Sequence, residues 1–125
     1  MKRTLQEIPG VYSVVCLGPQ APLPSWIPSD GFVSITRTDE ELSIVCMSSA
    51  VPAGDFSREN GWKCLKVVGP LDFALTGILS SIATPLAEAK ISIFAISTFD
   101  TDYILIRQES FVQAQAVLRK AGFGI

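Results

Sequence analysis

The chain has 125 residues, 48% hydrophobic and 18% charged, which fits one ordinary domain or two very small ones and excludes disorder. Ten Lys and Arg against twelve Asp and Glu leave a net charge of −2, so the positive field that gives nucleic-acid binding its affinity is missing. Histidine is absent, which removes Ser–His–Asp and Cys–His nucleophilic catalysis, His-ligated zinc and imidazole pH sensing.

At the start, Met1-Lys2-Arg3 is basic, but Gln6, Glu7 and Pro9 follow in place of an apolar h-region, so no signal peptide is expected. Tyr12 to Leu17 reads as a buried strand, stopped by Gly18-Pro19. Pro19, Pro22, Pro24 and Pro28 then forbid a long helix, because each removes an N–H. Phe32 to Thr38 and Leu42 to Ser48 are β-rich runs joined by Asp39-Glu40-Glu41, the pattern of a hairpin. Ala50 to Gly61 is polar and rich in turn residues, and predicts a surface loop; Trp62 to Val68 predicts a strand, stopped by Gly69-Pro70.

Leu71 to Ala89 carries Leu75, Ile78, Leu79, Ile82 and Leu86 at helical spacing, with Asp72 placed to cap it. Pro85 falls late in this pattern and should kink the helix without ending it. Phe73 to Ala87 is also an uncharged stretch, broken by Gly77 and Pro85 and shorter than the roughly 20 residues a membrane span needs. Ile91 to Thr98 is apolar on both faces, as in a central strand or one buried at an interface. Phe99 to Asp102 turns the chain and Tyr103 to Arg107 returns it. Ser110 with Gln113 has the spacing of a capping box for a second helix, with Phe111, Ala114, Val117, Leu118 and Ala121 inward and Gly122 at its end. Phe123 to Ile125 completes the order as a short strand, so residues 62–125 read as β-α-β-β-α-β, a ferredoxin-like α+β unit.

A shift of 61 positions lays Thr36 to Leu42 on Ser97 to Tyr103, each a strand entering an acidic turn and leaving as an apolar strand. The two Gly-Pro pairs, at 18 and 69, are offset by only 51. The ten missing residues, roughly three helical turns, fall where the prolines cluster. Residues 1–61 therefore read as the same unit with its first helix lost, packed with residues 62–125 into one compact body.

Leu71 to Leu79, Pro85 to Ala89, Ile91 to Thr98 and Ser97 to Ile106 together resemble the ACT domain family. Within it the chain is similar to the ACT modules of aspartokinases and of the CASTOR arginine sensor, most strongly over Trp62 to Gly122. The resemblance implies a βαββαβ fold preceded here by a degenerate ACT-like half, dimerisation, an amino-acid ligand at a domain interface, and no catalysis. Lys90 departs from the family, which usually has Gly or Asn there; a lysine in a left-handed cap costs about 1 kcal/mol.

Six residues are the candidate ligand contacts. Thr76, Gly77 and Ile78 open the long helix, where free N–H groups and the positive dipole end suit a carboxylate. Gly77 would let the ligand approach the backbone, although close packing of helix on sheet would also call for glycine. On the facing turn, Asp102 matches the acidic ligand-contacting position of the arginine-sensor motif and would accept from an ammonium group. Phe99 would cover the ligand side chain, with cation–π attraction if that side chain is cationic, and Thr98 offers a hydroxyl. Asp100 and Asp102 also suit a plain turn.

Cys16, Cys46 and Cys64 lie in apolar runs without a CxxC spacing, as buried, reduced thiols of a cytoplasmic protein do. Trp26 and Trp62 read as core or interface aromatics. No phosphate loop, metal cluster or basic aromatic stripe occurs. The expectation is a non-enzymatic, cofactor-free homodimer that binds an amino acid and neither nucleic acid nor membrane. The competing expectation is an ACT dimer whose ligand site is vestigial and which serves as a protein–protein interaction module.

Overall fold

The computed structural model describes residues 3–69 and 77–125. Its strands are β1 (Leu5–Leu17), β2 (Ser34–Arg37), β3 (Leu42–Met47), β4 (Ser57–Val67), β5 (Ile93–Ser97) and β6 (Asp102–Arg107), with helices α1 (Ile78–Glu88) and α2 (Phe111–Lys120). Two compact units emerge: Met1–Pro9 with Lys63–Ile125, and Gly10–Trp62. The architecture is α+β, as expected for a ferredoxin-like fold.

In the first of these units the strand order is β1-β4-β6-β5. β5 and β6 form an antiparallel hairpin in which Ile93 faces Ile106 and Ser97 faces Asp102. Apolar residues recur on α1 and α2 at three- and four-residue steps, so each helix has a face to bury. Ile82 and Leu86 of α1 join Phe111, Ala114 and Leu118 of α2 over Leu65, Val67, Ile104 and Ile106 in one core. A short parallel bridge between Thr4 and Gly124 supplies what remains of a closing strand.

In the second unit β2 and β3 pair antiparallel, and β3 pairs antiparallel with the later part of β1, Tyr12 facing Met47 and Leu17 facing Leu42. No helix forms between Leu17 and Ser34. In its place Trp26, Ile27 and Val33 pack against Val15, Leu42 and Ile44, and Trp26 meets Phe56 with ring centroids 5.9 Å apart.

Several expectations change. β1 begins at Leu5 and not at Tyr12, running through Pro9 and Gly10; its pairing with β3 starts only at Tyr12, and a proline is tolerated ahead of such a ladder. β4 begins at Ser57, inside the predicted loop. Its first four residues are exposed, so no hydrophobic pattern marks them. β5 is not central; it stands last in the order with Ala95 and Ser97 exposed. Ser110 makes no side-chain cap bond, since a 3-10 turn over Gln108–Ser110 leads into α2 and leaves Ser110 at φ −103, ψ 0, away from the extended conformation a capping box needs. The predicted start of the long helix at Leu71, with Asp72 and Leu75, lies outside the described residues. α1 does continue through Pro85 to Glu88.

The repeat is also re-registered. Thr36 faces Ser43 and Arg37 faces Leu42 in one hairpin, while Ile96 faces Tyr103 and Ser97 faces Asp102 in the other. Equivalent residues are thus 60 apart, not 61: Thr38 corresponds to Thr98 and Glu41 to Thr101.

Candidate functional site

The β5–β6 turn is closed by Thr98 and Thr101. The Thr98 N–H donates to the Thr101 carbonyl at 2.8 Å. The Thr98 hydroxyl donates to the same carbonyl at 3.0 Å and accepts from the Thr101 N–H at 3.3 Å, the local side-chain-to-backbone bonding that favours threonine in turns. Across the first ladder pair, Ser97 Oγ donates to Asp102 Oδ1 at 2.5 Å. Thr101 Oγ1 donates to the Val67 carbonyl at 2.6 Å, so the turn is fastened to the last residue of β4.

Phe99 stands at the tip of this turn, 81% exposed, beside exposed Asp100, and half-buried Asp102 opens β6. Thr98, Phe99 and Asp102 are therefore gathered on one turn. Thr98 spends its hydroxyl within it, which leaves Asp102 and Phe99 as the groups with chemistry to offer: a carboxylate acceptor for a cation and an aromatic face.

Gly77 and Ile78 belong to the start of α1. Gly77 is exposed and takes the N-cap position at φ 76, and its carbonyl accepts the Ser81 N–H at 2.9 Å. Among the described residues no side chain caps this end, and the first turn from Ile78 holds no acid. The hydroxyls of Ser80 and Ser81 are turned onto carbonyls instead, those of Gly77 at 3.2 Å and Ile78 at 2.6 Å. The N–H groups and positive dipole end of a helix start suit an anion such as a carboxylate. Among the described residues a Cβ on Gly77 would meet only Ser80 Oγ, at 4.0 Å, and its left-handed φ calls for glycine here. Ile78 is half-buried against the core. Thr76 lies outside the described residues.

Cys46 and Cys64 are poor nucleophiles. Burial pushes Cys64 up to about 12 and raises Cys46, whereas only a thiolate attacks or binds metal. Cys16, expected to be buried, is exposed on β1. Trp62 is buried, and Trp26 packs on the core of its unit. Among the described residues no cluster of three His, Cys, Asp or Glu side chains is placed to hold a metal, and no helix is long and apolar enough to cross a membrane.

Residues 57–120 match the family model of the ACT domain, just over half of the chain, and the protein belongs to the ACT domain family. A model of an N-terminal domain matches residues 10–54. The cytosolic arginine sensor for mTORC1 subunit 1 of Bos taurus is 32% identical over 88 residues, 62% of this chain. That match spans only 27% of the sensor's own length. The crystal structure of protein Atu0741 from Agrobacterium tumefaciens is similar, with 40% identity and a TM-score of 0.92 over 99% of this chain and 92% of that one. Clostridium acetobutylicum aspartate kinase shares the fold, with a TM-score of 0.68 at 11% identity over 94% of this chain and 33% of that chain.

The bonds of Ser97 and Thr101 in this turn are not legible in the sequence. The nearest signal for Thr101 was the repeated turn, in which Thr38 and Thr98 close equivalent hairpins.

Proposed function

We propose that the chain is a non-catalytic regulatory protein of the cytosol that binds an amino acid on its ACT unit and works as a homodimer. The observation that carries this is the start of α1: an exposed left-handed glycine with, among the described residues, no side-chain cap and no acid in the first turn. Similarity to a protein named an arginine sensor points the same way. The ligand carboxylate docks on N–H groups at Gly77 and Ile78, with Thr76 kept in the set from the sequence alone. The ammonium group meets Asp102, Phe99 covers the side chain, and Thr98 shapes the turn between them. Binding biases the association of subunits, since a ligand shifts an equilibrium by its differential affinity for the two states. The unit Gly10–Trp62 is, in this reading, a degenerate copy that keeps the hairpin and its turn and lacks a counterpart of α1.

Thermal unfolding in the presence of each of the twenty amino acids tests the proposal. A ligand at 100 times its Kd adds about 2.7 kcal/mol, which raises the melting temperature visibly. Asp102→Ala is expected to remove that shift while leaving the circular dichroism of the free protein unchanged. If none of the twenty moves the transition at millimolar concentration, the sensor reading fails.

A second reading, an ACT dimer acting purely as a protein–protein module, is favoured by one observation. The turn's polar groups are bonded among themselves, Thr98 to Thr101 and Ser97 to Asp102. A dimer that persists without any amino-acid response would select it.

A further inference from the structure

We infer that Thr101 is the positioning residue of the proposed ligand site: its hydroxyl locks the β5–β6 turn onto the end of β4 and so fixes where Phe99 and Asp102 stand. The neighbouring residues of the turn, Thr98, Phe99 and Asp100, are exposed, yet Thr101 is only 4% exposed. Its N–H and carbonyl serve the turn through Thr98, and its hydroxyl reaches 34 residues back to the Val67 carbonyl at 2.6 Å.

The geometry of β4 explains why a side chain is needed. The Val67 carbonyl and the Val68 N–H belong to one trans peptide and point to opposite sides. The N–H goes to the Thr4 carbonyl at 2.9 Å, on the β1 side, so the carbonyl faces β6. There β6 begins only at Asp102, and the Thr101 hydroxyl substitutes for a ladder N–H. Without it the Val67 carbonyl loses this buried donor, which is costly.

The repeat shows that this bond is not needed to make the turn. Thr38 N–H donates to the Glu41 carbonyl at 2.9 Å, and the Thr38 hydroxyl accepts from the N–H groups of Glu40 and Glu41 at 3.1 Å. Glu41, the counterpart of Thr101, is exposed, and a carboxylate cannot donate to a carbonyl. The same turn thus closes twice and is anchored through a hydroxyl once, on the copy that carries Asp102.

The functional part of this inference rests on the ligand-site reading; the lock itself does not. The experiment compares wild type, Thr101→Val, which keeps the shape and loses the hydroxyl, and Thr101→Ser, which keeps the hydroxyl. Amide hydrogen exchange of the unliganded proteins is read at Thr98, Thr101 and Asp102 against Leu118 in α2, and each protein is titrated with any amino acid that shifts wild-type melting. In Thr101→Val the turn amides are expected to exchange about tenfold faster with Leu118 unchanged, and the amino acid to bind about tenfold more weakly. Thr101→Ser should resemble wild type in both. Unchanged turn exchange in Thr101→Val overturns the lock; faster exchange with unchanged affinity overturns the positioning role. If no amino acid shifts wild type, the ligand reading falls and exchange alone decides the lock. Should Thr101→Val fail to fold, Thr101→Ala is read by the same exchange measurement.

Discussion

Lys90 shows how a single residue can be held in a conformation its side chain disfavours. The Lys90 N–H donates to the Ala87 carbonyl and the Ile91 N–H to the Leu86 carbonyl, both at 2.9 Å, with Lys90 at φ 60. This pair of bonds is a Schellman ending, and its hydrophobic contact joins Ile91 to Leu86 in the core. The end of α2 repeats it with Gly122 at φ 104, Gly122 N–H to Arg119 and Phe123 N–H to Leu118, both at 3.0 Å. Two helices thus end alike, one with the residue that conformation prefers and one without, and the buried Ile91 explains why Lys90 tolerates it. Lys90→Gly relieves the clash of Cβ with the backbone and is expected to stabilise the protein by about 1 kcal/mol, a rise of about 4 °C in melting temperature. A melting temperature unchanged or lowered would mean that the lysine side chain contributes as much as its backbone costs.

At the level of elements, the apolar periodicities were readable because burial imposes them. The inward residues of α2 and the paired runs of β2, β3 and β6 fall where alternation and helical spacing place them. What escaped was set by main-chain bonds. The early part of β1 carries Pro9 and Gly10 and has exposed positions on either side, so nothing in its pattern separates it from a loop. The first residues of β4 are polar on both faces for the same reason. The candidate site was half legible: Thr98, Phe99 and Asp102 do share a turn, but the anchor at Thr101 depends on a carbonyl 34 residues away, which no local spacing encodes. The repeat slipped by one because the acidic residues align best at 61, whereas the bonding threonines align at 60. The capping box is the sharpest case. Ser110 and Gln113 have the right identities, but the 3-10 turn before α2 denies Ser110 the extended backbone that aims its hydroxyl at the helix. Ser110→Ala is therefore expected to change stability by less than about 0.5 kcal/mol, where loss of a bonded N-cap costs about 1 kcal/mol. Urea unfolding measures it, and a larger loss would show that the hydroxyl caps α2 in solution.

The same logic extends to the whole molecule through β5. Ile93-Phe94-Ala95-Ile96-Ser97 carries no charge and no proline, and β5 is last in the strand order. Rim strands are normally guarded by charge, proline or a bulge, because a row of unpaired backbone groups invites another strand. An apolar rim without such guards is stable in solution when a partner covers it, and a second copy offers an identical strand about a two-fold axis. The pattern apolar on both faces then belongs to a strand that becomes interior in the homodimer proposed above. Sedimentation at micromolar concentration is expected to give a dimer for wild type. Ala95 is exposed and stands opposite Ile104 in the hairpin, so Ala95→Lys puts a charge on the rim without entering the core. It should sediment as a monomer with unchanged circular dichroism. A dimer that survives Ala95→Lys would move the interface to another face, and a monomeric wild type would leave the apolar β5 rim without the cover this reading gives it.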